Sequence, residues 1–242
     1  MEKETEWFQN WFNTPYYHIL YDYRKDDEAR FFMKNLINYL DLKPNGSILD
    51  LPCGKGRHAV FLYEQGFQVT GADLSKNSIE HAKQLSADGL RFVVHDMRDR
   101  LNGKYDAIFN LFTSFGYFNQ EATNVKVLEN FKLTLNQDGH LVIDFFNLNR
   151  VINRLTPYRQ IEKGGFQFDI KNYIDDGFVV KEILVDNGSE KLAFQEKVQA
   201  LSLEKFETFA KMADLEIQHV FGDYQLNAFD KNNSERLILI MQ

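Results

Sequence analysis

LDLPCGKGRHAVFLYEQGFQVTGADLS, residues 49–75, decides how this chain is read. An apolar run stops at a carboxylate, Asp50. The turn Cys53-Gly54-Lys55-Gly56 follows and opens a helical stretch at Arg57 and His58. A second apolar run ends at another carboxylate, Asp73, with Leu74 beside it. Glycines let the chain turn tightly and let a ligand approach the backbone. The helix that follows presents unpaired N–H groups at its start. In an open parallel sheet, ligands collect beyond the carboxyl ends of the strands.

The same alternation extends outward. Strands are expected over residues 47–53, 68–74, 91–96, 105–112 and 140–146, with helices over 57–65, 77–86 and 121–135, the last closed by an Asp138-Gly139 turn. Strands alternating with helices imply parallel pairing through right-handed crossovers. The runs ILDL, AIFNLF and LVIDFF carry too few polar alternations for a half-exposed sheet, so helices should cover both faces. Upstream, residues 1–43 read as helical. Ala29, Phe32, Met33, Leu36, Ile37 and Leu40 share one face, with Asp26, Asp27 and Glu28 at the positive end of the dipole. After Asn147 the pattern changes to β runs over 166–173, 178–185 and 192–201, joined by turns at 175–177 and 186–188. A helix over 203–214 and strands over 216–224 and 236–241 close the chain. The expected organisation is a helical lid (1–43), an α/β domain (44–147 and 202–242) and an antiparallel β insertion (148–201).

Composition narrows the function. The 242 residues carry 28 basic and 35 acidic side chains, a net charge of −7, and no basic run that would track a nucleic acid. One cysteine, Cys53, excludes an intrachain disulfide, and scattered histidines give no metal-ligand set. The opening MEKETEWFQNWF is acidic and aromatic, unlike a secretory leader, and no apolar run reaches membrane-span length, so a cytoplasmic protein is expected. The 22 Phe and 11 Tyr fit either an aromatic core or an apolar substrate chamber.

Acidic strand ends point to the ligand. Asp73 is placed to accept from both hydroxyls of a ribose. At the end of the third strand, His95-Asp96-Met97, Asp96 is placed to accept from an adenine amino group and Met97 to pack on its ring. Acceptors at successive strand ends suit a nucleoside with a cationic tail and would repel a pyrophosphate. S-adenosylmethionine meets these terms: it has no phosphate, and carboxylates such as Asp50 would receive its ammonium.

Residues 49–58, LDLPCGKGRH, resemble the glycine-rich first motif of class I S-adenosylmethionine-dependent methyltransferases, with Pro52 a departure from the small residue usual there. Asp73 resembles their ribose-binding acid, and residues 95–97, 105–110 and 139–144 resemble their later motifs. The resemblance implies a Rossmann-like, seven-stranded, mostly parallel sheet whose last strand is antiparallel. It implies that Gly54 and Gly56 approach the methionine part, with Cys53 in the same cofactor-binding loop, that Asp96 and Met97 contact adenine, and that Asn110 or Leu111 lies near the sulfonium. Arg57 would pair with a carboxylate of cofactor or substrate. It further implies an N-terminal lid, on which Tyr17 and Tyr21 lie one turn apart, and, as in the glycine N-methyltransferase-like branch, an insertion that roofs the substrate site. Ser114 and Phe115, leaving the fourth strand, would face the transferred methyl.

The expected reaction is in-line methyl transfer to a nitrogen, oxygen or carbon of a small molecule. The protein's task is alignment and exclusion of water. His58 and Tyr117 are the candidates for base or orienting group, with His18 and His140 behind them. Neither nucleic acid nor membrane is expected as a partner, and the sequence specifies neither the acceptor nor the oligomeric state. Two alternatives stand beside this reading. A non-catalytic S-adenosylmethionine sensor needs the same motifs, because the protein supplies no nucleophile. A nicotinamide oxidoreductase shares the glycine loop and acid but should carry GxGxxG, where this chain has GKGRH.

Overall fold

The computed structural model describes residues 6–21 and 26–242. The sequence readings that fall on residues 1–5 and 22–25, including the end of the lid, lie outside the described residues. Three helices come first: α1 (Trp7–Phe12), α2 (Pro15–Leu20) and α3 (Asp26–Tyr39). Thr14 caps α2 by accepting the Tyr17 N–H at 3.2 Å, with Pro15 at the first helical position.

The α/β part then runs β1 (Ser47–Asp50), α4 (Arg57–Glu64), β2 (Gln68–Asp73), α5 (Lys76–Lys83), β3 (Leu90–Val94), β4 (Tyr105–Asn110), α6 (Glu121–Thr134) and β5 (Leu135–Phe146). After α7 (Leu148–Arg154) come β6 (Tyr158–Lys163), β7 (Phe166–Asp175), β8 (Phe178–Asp186) and β9 (Lys191–Gln199). The chain closes with α8 (Leu203–Met212), β10 (Ile217–Phe221) and β11 (Arg236–Met241).

Seven strands form one sheet in the order β10-β11-β5-β4-β1-β2-β3. All neighbours pair in parallel except β11, which is antiparallel to both β5 and β10. This is the Rossmann-like arrangement expected from the sequence. Period-two alternation divides its core. Leu237, Leu239 and Met241 join Leu141, Ile143 and Phe145 under α6 and α8, while Ile238, Ile240 and Val142 face the other way, toward α3, α4 and α5. Among the described residues no helix is long and apolar enough to cross a membrane.

The second sheet is antiparallel, in the order β6-β7-β8-β9. Phe168, Ile170, Ile183 and Val185 pack it against Trp11, Leu20 and Tyr21 of the N-terminal segment. It has one strand more than the sequence pattern indicates. β6, YRQIEK, is an edge strand with mostly exposed side chains and so carries little apolar alternation. The helix α7, which the sequence reading did not expect, buries no side chain. β5 also begins earlier than expected. Tyr105 pairs with Leu135 and Ala107 with His140, so the Asp138-Gly139 turn sits inside the strand as an irregularity.

Gly71, in the middle of β2, lets this layer close. A Cβ there would lie 2.5 Å from the Phe92 ring and 3.0 Å from Cys53 Sγ. Gly71→Ala should therefore cost about 1–3 kcal/mol through overpacking, read as a lower midpoint in urea denaturation; an unchanged midpoint would refute the packing constraint.

Candidate functional site

The carboxyl ends of β1, β2 and β4 open into one cavity of about 750 Å³, closed above by α1, α2 and the second sheet. At the first strand end, Cys53 N–H donates to Ala72 O at 2.8 Å, tying the loop to β2. Gly54 has a φ of +54° and open space where a Cβ would stand, so its backbone borders the cavity directly. Its N–H donates to Asp73 Oδ2 at 2.8 Å, and the Ser75 N–H donates to Asp73 Oδ1 at 2.8 Å. Burial raises the Asp73 carboxyl above its usual range against the pull of those two amides. Each of its oxygens keeps a lone pair for a further donor.

Asp50 is buried more completely. Its carboxyl is pushed up to about 8, first by burial and then by the neighbouring Asp73. Its Oδ2 has no hydrogen-bond partner among the described residues, although the residue lines the cavity. A buried carboxylate oxygen without a donor is costly. The same two acids, with burial as the larger cause, raise the Cys53 thiol far above its usual range, so a thiolate nucleophile has no support here.

Most of the residues singled out in the sequence border this cavity: Asp50, Cys53, Gly54, Arg57, His58, Asp73, Leu74, Asp96, Met97, Leu111, Ser114 and Tyr117, with Tyr17 and Tyr21 from the N-terminal segment. Three do not. Gly56 holds a φ of +87° at the start of α4, where a Cβ would strike the Phe92 ring at 2.7 Å; it serves helix-to-sheet packing. Asn110 is fully buried and donates from Nδ2 to Leu51 O at 2.8 Å, fastening the ends of β4 and β1. Phe115 is fully buried among core side chains, 5.7 Å from the Phe206 ring, so it supports the wall from behind.

Several lining residues have commitments that the sequence did not announce. Arg98 grips both Asp96 oxygens, at 2.6–3.0 Å, and reaches Glu6 with two bonds at 2.8 Å. Burial opposes the Asp96 charge, but the Arg98 bonds outweigh it and hold the carboxyl below its usual range. Arg57 Nη1 reaches Asp26 Oδ1 at 2.7 Å. Tyr117 donates its hydroxyl proton to Thr113 O at 2.6 Å, which suits an orienting group better than a base. His58 packs on Phe112 with ring centroids 4.8 Å apart. His18 also lines the cavity; burial, then Lys55 and His81, hold its imidazole below its usual value. His140 is not among the lining residues.

Two charged pairs in the wall escaped the sequence reading. At the end of β4, Phe112 and Thr113 both have left-handed φ values, 60° and 62°, a conformation that costs a non-glycine residue about 1 kcal/mol or more. Asp144 holds them there: Phe112 N–H donates to its Oδ2 at 2.8 Å and Thr113 N–H to its backbone oxygen at 2.9 Å. Arg236 Nε donates to Asp144 Oδ1 at 2.6 Å and Nη2 to Thr113 Oγ1 at 3.0 Å. In the second sheet, Lys181 and Glu196 face each other in register, Nζ to Oε2 at 2.8 Å. Glu196 also accepts from Trp11 Nε1 and the Tyr21 hydroxyl, at 2.8 and 2.7 Å, joining the second sheet to the N-terminal segment. Burial raises its carboxyl, but Lys181 and these donors outweigh burial and keep it below the usual range. The readable signal was an opposite-charge pair at facing positions of two adjacent predicted strands.

A family model described as a methyltransferase domain matches residues 42–188. The chain belongs to the class I methyltransferases. Over 212 residues this methyltransferase is 27% identical to the putative methyltransferase YqeM of Bacillus subtilis, an alignment covering 83% of the chain and 85% of that protein. It is 30% identical over 149 residues to the glycine/sarcosine N-methyltransferase of Parasynechococcus marenigrum; there the match covers 57% of the chain and about half, 49%, of the relative. Its fold superposes on a S-adenosylmethionine-dependent methyltransferase of Clostridium acetobutylicum with a TM-score of 0.79 at 18% identity, covering 94% of this chain and 95% of that one.

Phe115→Ala tests the correction made above. As a core truncation it should cost about 3–5 kcal/mol in urea denaturation; a loss under about 1 kcal/mol would return Phe115 to the cavity surface.

Proposed function

We propose that this methyltransferase uses S-adenosylmethionine to methylate an amine of a small molecule. The observation that carries the reading is the buried, half-satisfied Asp50 beside Asp73 at the rim of the parallel sheet. A ligand bearing a positive charge would restore the interaction that Asp50 lacks. Gly54 leaves room for close approach, and both Asp73 oxygens retain capacity for ribose hydroxyls. Leu74 and Met97 would flank the base, and Leu111 the sulfonium. An amine acceptor is supported by the likeness to the glycine/sarcosine enzyme.

When bound, the cofactor supplies an electrophilic methyl group and a sulfur leaving group. The chain's residues supply position. Asp50 and Asp73 fix the two ends of the ligand. The left-handed Phe112-Thr113 turn and the Tyr117 hydroxyl, anchored on Thr113 O, set the floor on which the acceptor approaches. The core, 44–147 and 202–242, would hold the cofactor. The insertion, 148–201, would shape the acceptor site, and the N-terminal segment, 1–43, would exclude water, with Tyr17 and Tyr21 facing inward.

Three outcomes test this reading. Asp73→Ala should weaken S-adenosylhomocysteine binding by calorimetry about ten-fold or more, the loss of one or two hydrogen bonds to a charged group; unchanged affinity would remove the ribose assignment. The Asp50 carboxyl, protonated in the free protein below about pH 8, must ionise to meet a cation. Binding should therefore release a proton and strengthen as pH rises toward about 8, and Asp50→Asn should both weaken it and flatten that dependence. A wild-type affinity independent of pH over that range would contradict the role. Finally, release of S-adenosylhomocysteine should be detected with some members of a panel of small amines; tight cofactor binding with no turnover on amines, acids or phenols would make the protein a sensor.

A further inference from the structure

We propose that Arg236 anchors an oxyanion, a carboxylate or a phosphate, carried by the methyl acceptor; this rests on the methyl-transfer reading above. The placement follows from topology. β11 runs antiparallel to β5, and its first residue, Arg236, pairs with Phe146 at the last position of β5. The one antiparallel neighbour thus delivers its opening side chain to the rim where the parallel strands end. The strand RLILIM is otherwise wholly apolar, so this charge has no place in its packing.

The guanidinium is half used. Nε donates to Asp144 and Nη2 to Thr113 Oγ1, while Nη1 has no acceptor among the described residues. A guanidinium carries five N–H groups in a planar fork, so internal structure accounts for only part of its capacity. One-fifth of the side chain is exposed, and the residue lines the cavity. Asp144 needs no more from it: its carboxylate is fully buried and also accepts from Phe112 N–H and, at 3.3 Å, from the Tyr224 hydroxyl.

Beside it in the sheet stands Phe146, which also lines the cavity, and the Tyr224 ring centroid lies 5.8 Å from the guanidinium carbon. Partial burial strengthens a charge-assisted bond, and the planar fork matches two oxygens of a carboxylate or phosphate. Asp144 offsets the positive charge, and Glu28 also borders the cavity, so selection here acts through directed donors rather than through excess charge. Because the same guanidinium bonds Thr113, the oxyanion would sit beside the turn that leaves β4. The nucleophile and the anionic group of the acceptor would then lie close together in one molecule.

The test is calorimetry on the protein saturated with S-adenosylhomocysteine, titrated with acetate, with inorganic phosphate and with chloride as control. Acetate or phosphate should bind more tightly than chloride, and the tighter of the two assigns the source of the oxyanion. Binding should fall about ten-fold or more in Arg236→Gln, as expected for loss of a charge-assisted bond, and by less in Arg236→Lys. If the single variant fails to fold, Arg236→Met combined with Asp144→Asn removes both charges of the pair and is read in its place. Equal binding of chloride, no binding of either oxyanion, or undiminished binding in the variants would each overturn the proposal. S-adenosylhomocysteine affinity is measured in the same series. Its absence in the wild type would contradict the cofactor reading alone, since the anion titration on the protein without it still reads the subsite.

Discussion

The structure turns on one electrostatic constraint: two acidic side chains, Asp50 and Asp73, are held close together at adjacent strand ends, where burial disfavours their charge. Parallel pairing of β1 with β2 sets this up, with Asp50 opposite Gly71 and two residues from Asp73 in register. The glycine loop then closes over them, Cys53 bonding Ala72 and Gly54 bonding Asp73. Asp73 is compensated by two backbone amides, whereas Asp50 retains an oxygen without a partner among the described residues. Proteins rarely keep such a group for stability. On the function proposed, this oxygen would meet the cationic end of the ligand.

The other half of the cavity is governed by compensated charge. Asp144 and Arg236 hold the turn after β4 in a conformation that its own residues disfavour, and Lys181 and Glu196 bind the second sheet to the N-terminal segment. Buried pairs of this kind contribute little net stability, yet breaking one by removing a single partner is expensive. They therefore fix geometry. The cavity is thus asymmetric: backbone amides and acids at the glycine loop, paired charges and apolar walls beneath the roof. That division suits a reaction in which alignment of two bound molecules is the main contribution of the protein.

Much of this was legible from residues 49–75 and the alternation around them, because parallel strands buried on both faces write long apolar runs that end at side chains lining the cavity. Asp50 and Asp73 end β1 and β2 where the runs stop, and Asp96 lies two residues beyond the end of β3. What failed to show was whatever depends on side-chain direction or on distant partners. Ser114 and Phe115 are neighbours in sequence, but one lines the cavity and the other lies in the core. Asn110 looked like a ligand contact because it ends a strand, yet its Nδ2 donates to Leu51 O and the residue does not line the cavity, although its Oδ1 has no partner among the described residues. β6 was invisible because an exposed edge strand has no apolar face to reveal it. Arg236 was passed over because a single charge at the start of a strand has no period; only the antiparallel pairing of β11 places it at the rim.

The measurement that bears most directly on the account is a crystal structure of the protein with S-adenosylhomocysteine. The account predicts the ligand's ammonium within hydrogen-bonding distance of Asp50 Oδ2 and its ribose hydroxyls on Asp73. A ligand bound elsewhere, or one seated at the rim with Asp50 still lacking a donor, would contradict it.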